Sequence, residues 1–279
     1  VISSAEPPAH PVHDLTEERT TMPITIKNDR EIAAMRAAGE VVSLVHEHIQ
    51  AAVVPGITPL DLDAIARDVI HAAGATSNFF GHHGFPGYIC ASVNERIVHG
   101  IPDGRPLQNG DIISVDVGAI VDGFHGDSAW TYAVGTVEPA VARLLVDTEA
   151  ALMVGIARAV PGNRLGAIGA AVEAYGLERG YGIVKGYGGH GIGRSMWEDP
   201  HIPNHGDPRK GPVLRRGMTL AIEPMFNLGD AGTRVEGDQW TVATADGSWS
   251  AHFEHTIAVT DAGDGSPEIL TPRRAAVIH

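Results

Sequence analysis

Apolar residues recur at intervals of three, four and seven from Asn28 to about Val53, with Ile32, Met35, Val42, Val45 and Ile49 on one face. This spacing predicts a helix. The stretch Val54–Gly56 stops it. Thr58 then caps a second helix, with Pro59 at the first helical position, Asp61 at the third and Gly74 past the end. "YICASV" (Tyr88–Val93) and "IISVDVGAI" (Ile112–Ile120) read as strands. "VDGF" (Val121–Phe124) is an Asp-Gly hairpin turn, and "AWTYAVG" is the returning strand. Helical spacing resumes from about Glu138 to Ala159 and from about Leu165 to Arg179. "GMTLAIEPMF", "QWTVAT" and "AHFEHTIAVT" then read as strands, with "ADGS" (Ala245–Ser248) as a second hairpin turn. Twice, a pair of helices accompanies antiparallel strands. The prediction is an α+β fold of two similar halves.

No Pro/Ser-rich linker divides the halves, so residues 22–279 are read as a single domain. Residues 1–21, rich in Pro, His, Glu and Thr, are read as an extended or disordered arm. That arm has no apolar core of the signal-peptide kind. The chain has no run of 18 apolar residues, which excludes a spanning helix. A single cysteine, Cys90, excludes an internal disulfide framework and fits a reducing, cytoplasmic compartment. The net charge of -14 argues against a nucleic-acid partner.

Chemistry is suggested by acids placed inside apolar runs. Asp116 and Asp127 sit on opposite arms of the predicted hairpin; Glu223 lies in "LAIEPMF" and Glu254 in "HFEHTIAV". A buried carboxylate without a partner costs several kcal/mol. One such acid is more often a hydrogen-bonded strand residue. Four, with His190 in the glycine-rich "GYGGHG", favour a metal site. Carboxylates with one imidazole suit Mn, Fe, Co or Zn, and this many ligands suit two ions sharing bridging carboxylates. The glycines are expected to let backbone approach the ions and the substrate. "GYGGHG" also matches G-x-G-x-x-G, but no clear helix follows, so the dinucleotide reading is weak.

The motifs "VNERIVHGIP" (Val93–Pro102), "SVDVGAIVDGFHGDSAWTYAVG" (Ser114–Gly135), "GGHGIGR" (Gly188–Arg194), "GMTLAIEPM" (Gly217–Met225) and "FEHTIAVT" (Phe253–Thr260) appear in order. Through them the chain resembles the type I methionine aminopeptidases of the bacterial form, within the pita-bread metallopeptidases. Thirty-two residues lie between His190 and Glu223, too few for the type II insertion. The resemblance implies a pseudo-twofold pita-bread fold and two divalent ions. Asp127 and Glu254 would bridge them, Asp116 would hold one, and His190 and Glu223 the other. It implies removal of the initiator Met from nascent proteins and peptides, with small penultimate residues preferred. Glu223 would pass a proton toward the leaving amine, and His99 would hydrogen-bond the leaving-side nitrogen or the tetrahedral intermediate. A monomer, acting in the cytoplasm near the ribosome, is the expectation.

The chain departs from the family pattern at Trp197, which stands where a second active-site histidine is usual. Indole offers one N–H donor and no acceptor. Loss of one such donor costs about 2.7–4 kcal/mol of transition-state stabilisation. His201, four residues on, is a candidate to compensate. By position the methionine pocket maps to Phe79, His82, Phe85, Cys90, Met196 and Trp240, an apolar slot suited to a thioether. The alternatives are a related Xaa-Pro peptidase, or a catalytically weak peptide-binding member in which Trp197 fills the site.

Overall fold

Asn28 opens the first helix, α1 (Asp29–Ala52), with a reciprocal capping box. Its side chain accepts from the Arg30 and Glu31 N–H groups, and Glu31 accepts from the Asn28 N–H. A computed structural model describes residues 23–261 and 265–273 of the chain, so the arm expected over 1–21 lies outside the described residues. Helix α2 (Pro59–Ala72) starts with Thr58 and Asp61 capping each other, as its spacing predicts, and Gly74 follows at φ +68°. The buried faces carry Met35, Val42, Val45 and Ile49 on α1 and Leu62, Ala66 and Ile70 on α2.

Both helices pack together, and α1 lies across the hairpin formed by Ile112–Val121 and Phe124–Ala133. That hairpin, with Ile89–Val93 and Thr76–Ser77, makes the first sheet. Asp122 (φ +50°) and Gly123 (φ +75°) form its turn. In the second half, α3 (Pro139–Ile156) and α4 (Gly166–Glu178) pack on each other. They lie behind a five-stranded sheet ordered Glu268–Ile269, His255–Ala258, Thr219–Ile222, Gly188–Gly191, Glu198–Pro203. Two three-stranded ladders complete the described strands, and every ladder is antiparallel. One apolar core runs from Val42 and Leu62 through Val115 and Trp130 to Leu152, Ile222 and Phe253. The two halves therefore share an interior.

Three local expectations change. Residues 188–191, whose glycines are expected to bring backbone to the ions and the substrate, are instead a strand held between two others. Residues 245–248 do turn, but the strands they join enter different sheets, so there is no hairpin. The two long runs 217–226 and 251–260 each break in the middle. Ile222 pairs with His255 in the five-stranded sheet, whereas Met225 pairs with His252 in a three-stranded one. Two neighbouring segments thus switch sheets side by side, at Glu223–Pro224 and at Phe253–Glu254. Pro224 has no N–H to give to a ladder, which suits such a break.

His46 on α1 is buried against the strand Phe124–Ala133. Its Nε2 donates to the Ser128 carbonyl at 3.0 Å and its Nδ1 accepts from the Tyr132 hydroxyl at 2.8 Å. Burial pushes its pKa down to about 3. An unfolded imidazole titrates near 6.5, so between those values the unfolded chain binds more protons. Stability falls as pH drops through that window, by at most about 1.4 kcal/mol per pH unit from this residue. Urea unfolding of wild type and His46→Gln from pH 7 to 4.5 checks this. The variant's deficit at pH 7 should shrink toward acid pH; a constant deficit contradicts the assignment.

Candidate metal centre

The hairpin aims two carboxylates the same way. Asp116 pairs with Ala129 and Asp127 with Gly118, so the two acids are diagonal neighbours on one sheet face. Glu223 and Glu254 enter from the paired sheet switches, where ladder breaks release the backbone. The Asp127 and Glu254 segments are tied across the halves. The Asp127 N–H donates to Thr256 Oγ1, whose hydroxyl donates back to the Asp127 carbonyl; Ser128 Oγ donates to the Glu254 carbonyl at 2.6 Å, and the Glu254 N–H donates to Ala129.

His190 completes the group from the strand Gly188–Gly191. The close approach there is backbone to backbone. A Cβ on Gly189 would lie 2.1 Å from the Ala221 carbonyl oxygen, and one on Gly191 would lie 2.2 Å from that of Asp199. The glycines therefore admit the strands on either side of His190. His190 Nδ1 donates to the Gly191 carbonyl at 2.9 Å, which leaves Nε2 as an unprotonated ligand atom. That nitrogen lies 3.7 Å from Asp127 Oδ2 and 3.8 Å from Glu223 Oε1. Ligand atoms of Asp127, His190 and Glu254 all fall within 4.8 Å of one another.

Electrostatics decide what such a cluster needs. Burial, joined by repulsion from neighbouring carboxylates, raises Asp127 and Glu254 well above the usual range. Burial lifts Asp116 to about 7, with Glu223 adding to the rise. Glu223 behaves differently. Burial raises its pKa, but His252, His190 and His99 outweigh that and hold it below the ordinary value. Asp116 Oδ1, Asp127 Oδ1 and Glu254 Oε1 are buried without a hydrogen-bond partner among the described residues. Hard oxygen donors left unsatisfied beside a free imidazole nitrogen fit a divalent cation.

The predicted pocket residues also meet. Phe79, Phe85, Cys90 and Met196 form a buried apolar cluster, flanked by Ile101, Trp197 and Trp240. Cys90 is the register partner of Asp116, so the cluster abuts the carboxylates. Trp240 meets Phe85 edge-on at 5.1 Å between ring centroids. Trp197 is half-buried, 4.7 Å from the His82 ring and 6.2 Å from that of His190. His99 has φ +60°, unusual for a residue with a side chain. His201 pairs with His190 in the sheet.

A family model, metallopeptidase family M24, matches residues 33–261. The chain belongs to metallopeptidase family M24. Methionine aminopeptidase 1 of Mycobacterium tuberculosis is 51% identical over 250 residues, covering 86% of this chain and 92% of that protein. Methionine aminopeptidase 1 of Bacillus subtilis is 49% identical over 240 residues, covering 86% and 97%. The crystal structure of methionine aminopeptidase from Rickettsia prowazekii superposes with a TM-score of 0.87 at 40% identity, covering 89% of this chain and all of that one. An Xaa-Pro dipeptidase from Bacillus anthracis shares the fold alone, with a TM-score of 0.73 at 24% identity; the chain covers 64% of it. The fold is the pita-bread fold of these M24 structures.

Two features of this M24 site escape a reading of the sequence. His252, in the quoted "AHFEHT", is buried with Nε2 3.6 Å from Glu223 Oε2. Its spacing of two from Glu254 was the available signal. The second is a buried ion pair spanning 171 residues. Lys27 Nζ lies 2.5 Å from Glu198 Oε2, which also receives the Thr25 hydroxyl. Glu198 Oε1 accepts the Arg194 N–H at 2.8 Å and the Ser195 N–H at 3.3 Å. One carboxylate thus braces the turn that carries Met196 and Trp197. Lys27→Met leaves Glu198 buried without its cation and should cost about 3–5 kcal/mol in urea unfolding. A loss under about 1 kcal/mol, the value typical of an exposed pair, contradicts that role.

Proposed function

We propose that the protein is a metal-dependent methionyl aminopeptidase that hydrolyses the first peptide bond of chains beginning with Met. The observation that carries this reading is a buried apolar cluster of aromatic and sulfur-bearing side chains directly against carboxylates whose buried oxygens find no partner among the described residues. Asp116, Asp127, His190, Glu223 and Glu254 would hold two divalent ions, with Co, Mn, Fe and Zn all suited to the donor set. When bound, such ions supply Lewis acidity and a nucleophile at neutral pH.

The chain's own groups do the rest. Phe79, Phe85, Cys90, Met196 and Trp240 accept the Met side chain and exclude water from it, with His82 and Trp197 as the outer wall. Glu223, kept ionised by the surrounding imidazoles, takes a proton from the attacking water and delivers it to the leaving amine nitrogen. His99 hydrogen-bonds the leaving-side nitrogen or the tetrahedral intermediate. The greater identity to methionine aminopeptidases than to the Xaa-Pro dipeptidase favours Met over the bond before proline. Among the described residues no helix is long and apolar enough to cross a membrane. We read residues 22–279 as one domain and the protein as a cytoplasmic monomer acting on nascent chains near the ribosome, without nucleic-acid specificity and with a preference for small second residues.

Metal-stripped protein given Met-Ala-Ser, with Mn, Co, Fe or Zn restored in turn, should release free Met only when metal is present. Metal binding without Met release would overturn the aminopeptidase reading. Trp197→His should raise kcat on the same peptide, since it restores a smaller ring with two exchangeable nitrogens. An unchanged or lower kcat would mean that Trp197 contributes to the pocket rather than merely replacing a useful donor.

A further inference from the structure

His252 ends the strand Ser250–His252, opposite Met225, and is 2% exposed. Its backbone is fixed on both sides by one hydroxyl: Thr131 Oγ1 accepts the His252 N–H at 2.9 Å and donates to the His252 carbonyl at 2.8 Å. Ser114 Oγ, 2.8 Å from Thr131 Oγ1, extends that network into the first sheet. The imidazole therefore stands on a rigid mount. Its Nε2 is buried with no hydrogen-bond partner among the described residues, and faces Glu223 Oε2 at 3.6 Å.

Glu223 needs such a neighbour. Its main chain is held, because Asn204 Nδ2 donates to the Glu223 carbonyl at 2.9 Å. A glutamate side chain nevertheless turns about three bonds. Oε1 faces His190 Nε2 at 3.8 Å, so the two carboxylate oxygens look toward different imidazoles. A carboxylate accepts only, so the His252 pair is favourable when Nε2 carries the proton. A closing movement of a few tenths of an ångström brings the two into hydrogen-bond range.

We propose that His252 is a positioning residue: its Nε2–H anchors Glu223 Oε2 and so turns Oε1 toward His190 and the metal centre. The inference rests on the metallopeptidase reading above. A group of this kind acts through the orientation of a ligand and typically changes metal affinity or activity by about 10–100-fold.

His252→Asn and His252→Gln separate the N–H from the space the ring fills. Both are polar, but only the Gln amide reaches as far as Nε2. Each variant would be checked for native thermal unfolding, then titrated with Co(II) by calorimetry and visible absorption, and assayed with Met-Ala-Ser. His252→Asn should lower kcat by about 10–100-fold with KM little changed, weaken Co(II) binding and alter the Co(II) ligand-field bands. His252→Gln should recover most of each. Unchanged Co(II) affinity, spectrum and kcat in His252→Asn would overturn the proposal, as would a His252→Gln variant no better than His252→Asn. Wild type that neither binds Co(II) nor releases Met overturns the metallopeptidase reading, and this inference with it. Active wild type with indifferent variants overturns the inference alone.

Discussion

Carboxylates brought together in a protein interior repel one another and lose their hydration at the same time. Asp116, Asp127, Glu223 and Glu254 lie together in this way, and three of them keep a buried oxygen that no group among the described residues satisfies. Proton uptake by Asp116, Asp127 and Glu254 is the chain's own way of relieving this, and their raised pKa values express it. Divalent cations relieve it more fully, because each carries opposite charge and accepts several carboxylate oxygens at once. Much of the scaffold is organised to keep the acids together despite that repulsion. The strands bearing Asp127 and Glu254 are stitched by Ser128 and Thr256, and His190 is delivered on a strand whose glycines let its neighbours close in.

The same constraint accounts for the broken strands. A continuous ladder would send alternate side chains to opposite faces and keep each backbone group paired. By switching sheets at Glu223–Pro224 and Phe253–Glu254, two adjacent segments place a carboxylate each at the seam. The seam also puts His252 beside Glu223, which faces two imidazoles and is held below its ordinary value while its three carboxylate neighbours are raised. Within a single cluster, like neighbours and unlike neighbours thus give carboxylates different protonation tendencies.

Much of this was legible in the sequence. Helices α1 and α2 announce themselves through period and capping residues, because those effects are local. The Asp-Gly turn places Asp116 and Asp127 on facing arms for the same reason. The short strands did not show, since segments such as Gly188–Gly191 carry no alternation of apolar and polar residues. The breaks at Glu223 and Glu254 were hidden because apolar residues flank both joints and read as one strand on either side, although Pro224 was an available signal. The Lys27–Glu198 pair joins positions 171 residues apart, and only the folded chain brings them together. Phe79, Phe85, Cys90, Met196 and Trp240, which family resemblance groups together, are also packed together in the fold. Trp197 takes its place there against His82, which pattern alone does not convey.

The central claim is that the buried acids are a metal centre rather than a set of protonated core residues. Urea unfolding of metal-stripped wild type and Asp127→Asn, each with and without Mn or Co, tests it directly. A cation that binds only the folded chain must add stability by mass action. The account predicts that metal stabilises wild type and does so far less in Asp127→Asn. Equal unfolding midpoints for wild type with and without metal would contradict it.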